Sequence, residues 1–345
     1  ILGMIVVALN QIISSIFIGH GVGPLALAAM AVTFPLVNLL MAFCQLVGVG
    51  CAALCSIELG RKDMEKARSM LGHSVIREVL FGGVFGLIFW FYLDPLLSFF
   101  GASGETLRHA HEFMLPLVVL SPLGFLMLGF NYLARATGYP KTAMITALLS
   151  SVGIVIFSPI FIFWWDWGMY GAALATIIGQ GVTMAVALVY CAIKKNLTLK
   201  IAPVDTPKTA FQILKIGLAP FGLTLAPNIS LVIINRFSVY YGGQEAIATY
   251  ACISYIICIV YLLLQGVGDG SQPLMSQFYG AGEEKSLKQT KTLAYEFSMV
   301  LAVISAILIY LLRGKIGLLF GSSAEVNAGV IKVMPIFLVS VPLLA

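Results

Sequence analysis

The chain has 345 residues, 60% of them hydrophobic and 10% charged, with a mean hydropathy of +0.99 and a formal net charge of +5. Soluble domains carry about 25% charged residues, so this composition excludes a soluble globule and makes lipid the solvent for most of the surface. The basic excess does not point to nucleic acid, because the lysines and arginines sit in short loops between apolar runs and not on one face.

A membrane-spanning helix takes about 20 apolar residues, and ten such segments follow one another. The first covers roughly 1–19. After GHGVGP a long helix runs to about Leu59, and GRKDMEKAR forms the next loop. A third helix, roughly 69–93, ends at Asp94-Pro95, and an FGASGE loop leads to a fourth at about 105–134. RATGYPK turns the chain into a fifth at about 141–164; WWDWG, aromatic as expected at a membrane interface, leads to a sixth at about 169–193. A polar linker follows, and then helices at about 210–240, 245–278 and 289–312, with a tenth starting near Glu325. No secretory leader is visible, and the chain starts and stops inside apolar runs, as a fragment does.

Loop charges set the orientation. Alternate loops carry fourteen basic residues: Arg61, Lys62, Lys66 and Arg68; Arg135 and Lys141; Lys194, Lys195, Lys200, Lys208 and Lys215; Lys285, Lys288 and Lys291. The opposite loops carry three, Arg108, Arg313 and Lys315. Basic loops stay in the cytoplasm, which places the N-terminus inside.

The stretch LVGVGCAALCSIELGR at Leu46–Arg61 returns as GVGDGSQPLMSQFYGAG at Gly266–Gly282. At an offset of 220 residues Gly48, Gly50, Ser56 and Gly60 meet Gly268, Gly270, Ser276 and Gly280. The same offset aligns Phe100, Gly101, Ser103 and Glu105 with Phe320, Gly321, Ser323 and Glu325, and Pro122 with Pro342. The chain is therefore read as a duplication. Six helices per half, an even number, return the second copy in the first copy's orientation. The expected fold is an all-α polytopic membrane protein of two parallel-repeat six-helix bundles around a central cleft, the second bundle truncated. An N-terminal lobe spans 1–195, a cytoplasmic linker 196–207 and the C-terminal lobe 208–345. A complete second copy would extend roughly seventy residues further.

Six stretches stand out as a set: IFIGHGVGPLALAAMAVTFPL, LGRKDMEKAR, ARATGYPKTAM, GMYGAALATIIGQ, INRFSVYYGGQEAIATYACI and GVGDGSQPLMSQFYGAG. Together they resemble the multidrug and toxic compound extrusion (MATE) family. The resemblance implies two six-helix lobes around a central cleft, and export of organic, often cationic, compounds coupled to inward flow of protons or sodium ions, in a bacterial inner membrane. The chain departs from the family at its first-lobe cation site. Ser14 stands where many members carry an aspartate in helix one. Ile154-Val155-Ile156-Phe157-Ser158-Pro159 replaces the family's Asn-x-x-x-Asp-Pro in helix five. The glutamate that some members place in helix seven has no counterpart near Pro227 and Asn228.

An ionisable residue in mid-membrane is a functional candidate by default. Asp269 in helix eight, between Gly268 and Gly270, is the clearest. A carboxylate there suits a proton, a sodium ion or a cationic substrate, or serves as a helix-packing hydrogen-bond partner; its glycines let a neighbouring backbone approach or the helix open. Glu78 and Glu296 lie in the cytoplasmic third of helices three and nine, for coupling or for a salt bridge or gate near the inner surface. Arg77 adjoins Glu78, but neighbours at i,i+1 on a helix do not face each other. Asn38 and Gln45, and Asn228 and Asn235, are seven apart and share helix faces; with Gln272 and Gln277 they line a cleft or pin helices together. Met41, Phe43, Tyr255 and Tyr261 suit a soft surface for cations or ordinary packing.

Catalytic and metal chemistry is not indicated. The six cysteines lie in apolar segments without a CxxC pair, and the four histidines lack a ligand spacing. GVGDG sits inside an apolar helix with no GKS or GKT sequence, which excludes a phosphate loop. The expected function is antiport of small organic cations by alternating access, with H+ or Na+ as coupling ion, no cofactor, and a monomer as the working unit. A lipid-linked oligosaccharide flippase, of related two-lobed build, is the alternative; it needs a more basic cavity.

Overall fold

A computed structural model describes residues 2–194, 206–319 and 324–344, and these are almost wholly helical, with no strand among them. The helices are α1 (Leu2–Gly21), α2 (Pro24–Gly60), α3 (Met64–Phe91), α4 (Leu93–Phe99), α5 (Gly104–Val119) and α6 (Ser121–Ala136). They are followed by α7 (Pro140–Pro159) with a π-helical turn at Ile160–Trp164, α8 (Gly168–Lys194), α9 (Thr206–Ala281), α10 (Glu284–Leu319) and α11 (Ala324–Ser340). The linker expected at 196–207 falls almost wholly outside the described residues.

Seven helical stretches are long and apolar enough to cross a membrane, and the bent pair α5–α6 makes an eighth. With α1 and α8, helices of 20 and 27 residues, these correspond to the ten expected spans. One expectation is corrected: helix four is not one rod, because α5 and α6 meet at 65°. Helices seven and eight share one unbroken helical stretch, α9, of 76 residues. A straight helix of that length would run about 114 Å, yet Ile213 and Gln277 both lie against α2, at Gly50 and Gly60, so the chain turns back within α9. Two membrane-length windows, Lys208–Ser230 and Cys252–Ala281, lie within it.

Local sequence explains the helix ends. Pro24 and Pro140 open α2 and α7 at the first turn, where a missing N–H is harmless. Gly138, at φ +88°, turns the chain between α6 and α7. Asp63 caps α3 by accepting a hydrogen bond from the Lys66 backbone N–H at 3.1 Å. That bond, with help from the Lys66 ammonium at 3.2 Å, holds the Asp63 carboxyl below its ordinary range. A carboxyl acidified by folding stabilises the fold above its unfolded pKa and loses that contribution as pH falls through the lower folded value. Replacing Asp63 by Ala is thus expected to lower the melting temperature of the purified protein at neutral pH, with the gap closing in acid below about pH 4.

The bend between α5 and α6 is seated against α3. The Ser121 hydroxyl lies within hydrogen-bonding distance of the Gly82 carbonyl (2.8 Å) and the Val118 carbonyl (2.7 Å). A side chain at Gly82 would press on Pro122, and one at Gly86 on the Ser121 hydroxyl. Two glycines one turn apart on α3 make the notch into which the bend fits.

The chain forms two compact units: Val6–Leu225 with Ser276–Glu283, and Ala226–Met275 and Glu284–Ala345 with Ile1–Ile5. The division falls later than the expected boundary at 208, because the first turns of α9 pack on α2. Gly50 faces the Ile213 carbonyl, Gly217 faces the Leu46 carbonyl, and the Thr224 hydroxyl donates to Gln45 Oε1 at 2.7 Å. The core of the first unit is built around Leu36, Leu93, Leu97, Met114, Ile162 and Met169. The second unit packs around Ile253, Ala302, Val330 and Met334. Its α10 leaves Val300, Ile304, Ile307 and Leu311 exposed, a face suited to lipid.

Within the first unit the ends of α2 and α9 cross closely. Gly60 lies on the Gln277 carbonyl, and Gly280 lies on the Ile57 carbonyl. The offset of 220 converts one contact into the other: 60 becomes 280 and 57 becomes 277. The crossing is thus two-fold in sequence as well as in space, as the duplication requires.

Candidate functional site

On α3 the residues Met70, Ser74, Glu78, Gly82 and Gly86 recur every fourth position, and all are buried. Such spacing makes one stripe on one helix face. Glu78 is its only ionisable member, and at 1% exposure it is sealed inside the first unit. α2 and α6 close over it. Gly48 on α2 and Gly129 on α6 clear the space for its carboxyl: a Cβ on Gly48 would stand 2.7 Å from Oε1, and one on Gly129 would stand 2.6 Å from Cδ. The Cys44 thiol donates to Glu78 Oε2 at 3.9 Å and lies 3.7 Å from the Phe125 carbonyl. Oε1 is buried without a hydrogen-bond partner among the described residues. Arg77 does not neutralise the carboxyl: no ion pair joins the two among the described residues, and its guanidinium lies beside the Cys51 thiol.

The other candidates of the first unit are less isolated. Gln45 accepts the Thr224 hydroxyl and thereby pins α2 to α9. Asn38 is half-buried and has interaction partners of its own. Gln277 donates to the Ala136 carbonyl at 3.2 Å. Phe43 stacks on Phe85 at 3.9 Å between ring centres and meets Phe221 at 5.2 Å, so its ring serves helix packing.

In the second unit Asp269 is half-buried on α9 and engaged in interactions, among them an electrostatic one with Tyr261 two turns earlier. The expectation that Gly268 and Gly270 admit a neighbouring backbone is corrected. A side chain at either would meet nothing within 4 Å among the described residues. The close approaches belong to their repeat partners, Gly48 and Gly50. Gln272 and Asn228 are half-buried, and Asn228 has partners. Glu296 is exposed on α10 between exposed Tyr295 and Phe297, so it is not gathered into a buried site. The side chains of Asn235 and Tyr255 lie outside the described residues.

Two of the four histidines lie beside carboxylates. His111 Nδ1 lies 2.6 Å from Asp94 Oδ1, and His109 lies 3.6 Å from Glu112, which also takes Arg108 at 3.0 Å. No group of three or more His, Cys, Asp or Glu residues suited to a metal ion occurs among the described residues.

The MatE family profile matches residues 1–160 and 221–345, covering both repeats. The chain belongs to the MatE family. Members are efflux transporters, not enzymes, and the apolar helices make this one a multi-pass membrane protein. It is 28% identical over 305 residues to the multidrug export protein MepA of Staphylococcus haemolyticus (strain JCSC1435), an alignment covering 88% of this chain and 67% of that one. It is 26% identical over 308 residues to MepA of Staphylococcus aureus (strain NCTC 8325 / PS 47), with the same coverage. A multidrug resistance MATE family transporter in an outward-facing conformation superposes with a TM-score of 0.90 at 23% identity, over 99% of this chain and 77% of that one. A MOP superfamily transporter of Pyrococcus furiosus gives the same values. These structures share the fold.

Within this MATE fold the two serines that replace the expected aspartates stand apart in burial. Ser14 is half-buried on α1, whereas Ser158 is buried on α7 just before Pro159. Neither supplies a charge. The buried carboxylate of the first unit sits instead on α3. The sequence signal for it was present: an acid within a four-residue stripe of serine and glycine has small neighbours on its own face, and small residues mark where helices meet closely in membranes.

Proposed function

We infer that this MATE transporter exports small organic, cationic drugs or metabolites, and that an inward flow of protons or sodium ions drives the export by alternating access. The family match across both halves of the chain carries this reading. The names of the relatives, multidrug export proteins, support the substrate class. Coupling requires that the ion and the drug favour different states of the same carrier. Two repeats of one bundle, related by the 220-residue offset, are the build that alternating access uses in parallel-repeat transporters. Basic loops place the N-terminus in the cytoplasm, and one chain is the working unit.

The test is counterflow in proteoliposomes with ethidium as the probe, under a proton gradient and a sodium gradient imposed separately. Ethidium is expected to move against its own gradient under at least one of them, and to stop when that gradient is collapsed. Movement that ignores both gradients would overturn antiport, and failure to move any cationic dye of a panel would overturn drug export.

A further inference from the structure

We propose that Glu78 is a proton-binding site in the interior of the first unit, holding the neutral carboxylic acid while α2, α3 and α6 are closed around it. The assignment deepens the antiport reading and rests on it for the role of the proton, but the presence of the site can be measured without transport.

The argument starts from the surroundings of the carboxyl. An ionised carboxylate in a low-dielectric interior needs strong donors or a facing cation. Glu78 has one donor, the Cys44 thiol at 3.9 Å, and a thiol is a weak one. Oε1 has none among the described residues. The neutral acid is the form such a pocket accommodates.

No charged group packed around Glu78 pairs with its carboxyl among the described residues; the nearest cation is Arg77, whose buried guanidinium nitrogens have no hydrogen-bond partner. On its own helix Arg77 is turned to the Cys51 thiol, and no salt bridge reaches Glu78 among the described residues. α2 presents Cys44 and Gly48, with Cys51 a turn further on. α6 presents Gly129 and the Tyr132 ring, which lies 2.9 Å from where a Cβ on Gly48 would be; Arg135 lies over that ring at 4.9 Å from its centre. α5 meets α3 at Val118 and Gly86, whereas its ionisable residues are confined to Glu105–Glu112 at its start.

The same geometry says how the proton is exchanged. The carboxyl is sealed by two glycines, so a small separation of α2 from α6 exposes Oε1 to water and lets the acid ionise. Closing the seam demands the proton back. A carboxyl with these two states ties proton uptake to the closed arrangement of three helices. It also gives the unit an acid in the absence of carboxylates at Ser14 and Ser158.

Infrared difference spectra of the full chain in liposomes, wild type against Glu78→Gln, decide the matter at about pH 6 and about pH 8, where exposed carboxyls are ionised. The wild type is expected to show the carbonyl stretch of a neutral carboxylic acid at both values, and Glu78→Gln to lack it. Identical spectra at the higher pH would overturn the proposal, because Glu78 would then be ionised. Where Glu78→Gln does not fold, Glu78→Asp carries the test: the acid band moves if it belongs to position 78, and an unmoved band overturns the assignment. A second readout addresses the role. Proton-driven ethidium efflux is expected to fall at least tenfold in Glu78→Gln while ethidium exchange without a gradient persists; unchanged proton-driven efflux would overturn the role of Glu78. If neither protein moves ethidium, the export reading fails and the infrared band still decides the proton site.

Discussion

Replacing Gly280 by Val is expected to remove most of the folded protein from the membrane, lowering the yield of monodisperse material and its melting temperature together. Gly280 packs on the Ile57 carbonyl, and a Cβ there would also stand 2.8 Å from the carbonyl carbon and 3.0 Å from the Ile57 Cα. These are backbone atoms of α2, fixed by that helix's own hydrogen bonds, so they cannot turn aside as a flexible side chain would. Overpacking costs about 1–3 kcal/mol where neighbours can adjust, and this site belongs at the upper end. Gly268→Ala and Gly270→Ala are the controls, since a side chain at either meets nothing within 4 Å among the described residues. There alanine is expected to leave stability unchanged or raise it by up to about 1 kcal/mol through helix propensity. Equal behaviour of all three variants in size-exclusion profiles and thermal unfolding would show that the α2–α9 crossing is not a tight one.

Replacing Asp269 by Asn is expected to abolish energised export of cationic dyes while the protein still reaches the membrane. Asp269 is the acidic side chain of the GVGDG turns of α9, half-buried and interacting with Tyr261. A carboxylate at membrane depth attracts a cation far more strongly than an amide of the same shape. A side chain at Gly268 or Gly270 meets nothing within 4 Å among the described residues. Ethidium affinity is expected to fall at least about tenfold, equivalent to about 1.4 kcal/mol, with the melting temperature little changed. Undiminished efflux by Asp269→Asn would remove this residue from the mechanism. Asp269 and Glu78 thus have separable signatures: loss of dye binding for the first, and loss of proton drive with exchange retained for the second.

Much of the fold was legible because lipid imposes a simple rule. Backbone groups in a bilayer must be satisfied within the segment, so apolar runs of sufficient length read directly as helices, and the loops around Asp63 and Gly138 carry ordinary cap and turn residues. What the runs did not reveal was how helices bend or continue. The bend at Leu120 depends on a tertiary notch, Gly82 and Gly86 receiving Ser121 and Pro122, which no local pattern encodes. The site followed the same division. Glu78 and Asp269 were found as charges where charges are costly, but which of them is sealed depends on the glycines facing it from other helices. Gln45 and Gln277 read as ligand or pin, and the structure shows each holding a partner within the first unit.

The paired approaches of Gly60 to Gln277 and Gly280 to Ile57 bear on the history of the chain. Before the halves were joined, residue 60 of one copy would have rested on residue 57 of its twin, and the reverse, which is the signature of an isologous interface in a symmetric homodimer. In the joined chain that handshake lies inside a single polypeptide, and its two sides differ: isoleucine stands at 57 and glutamine at 277. The glycines, with a carbonyl directly above each of them, are the same on both sides.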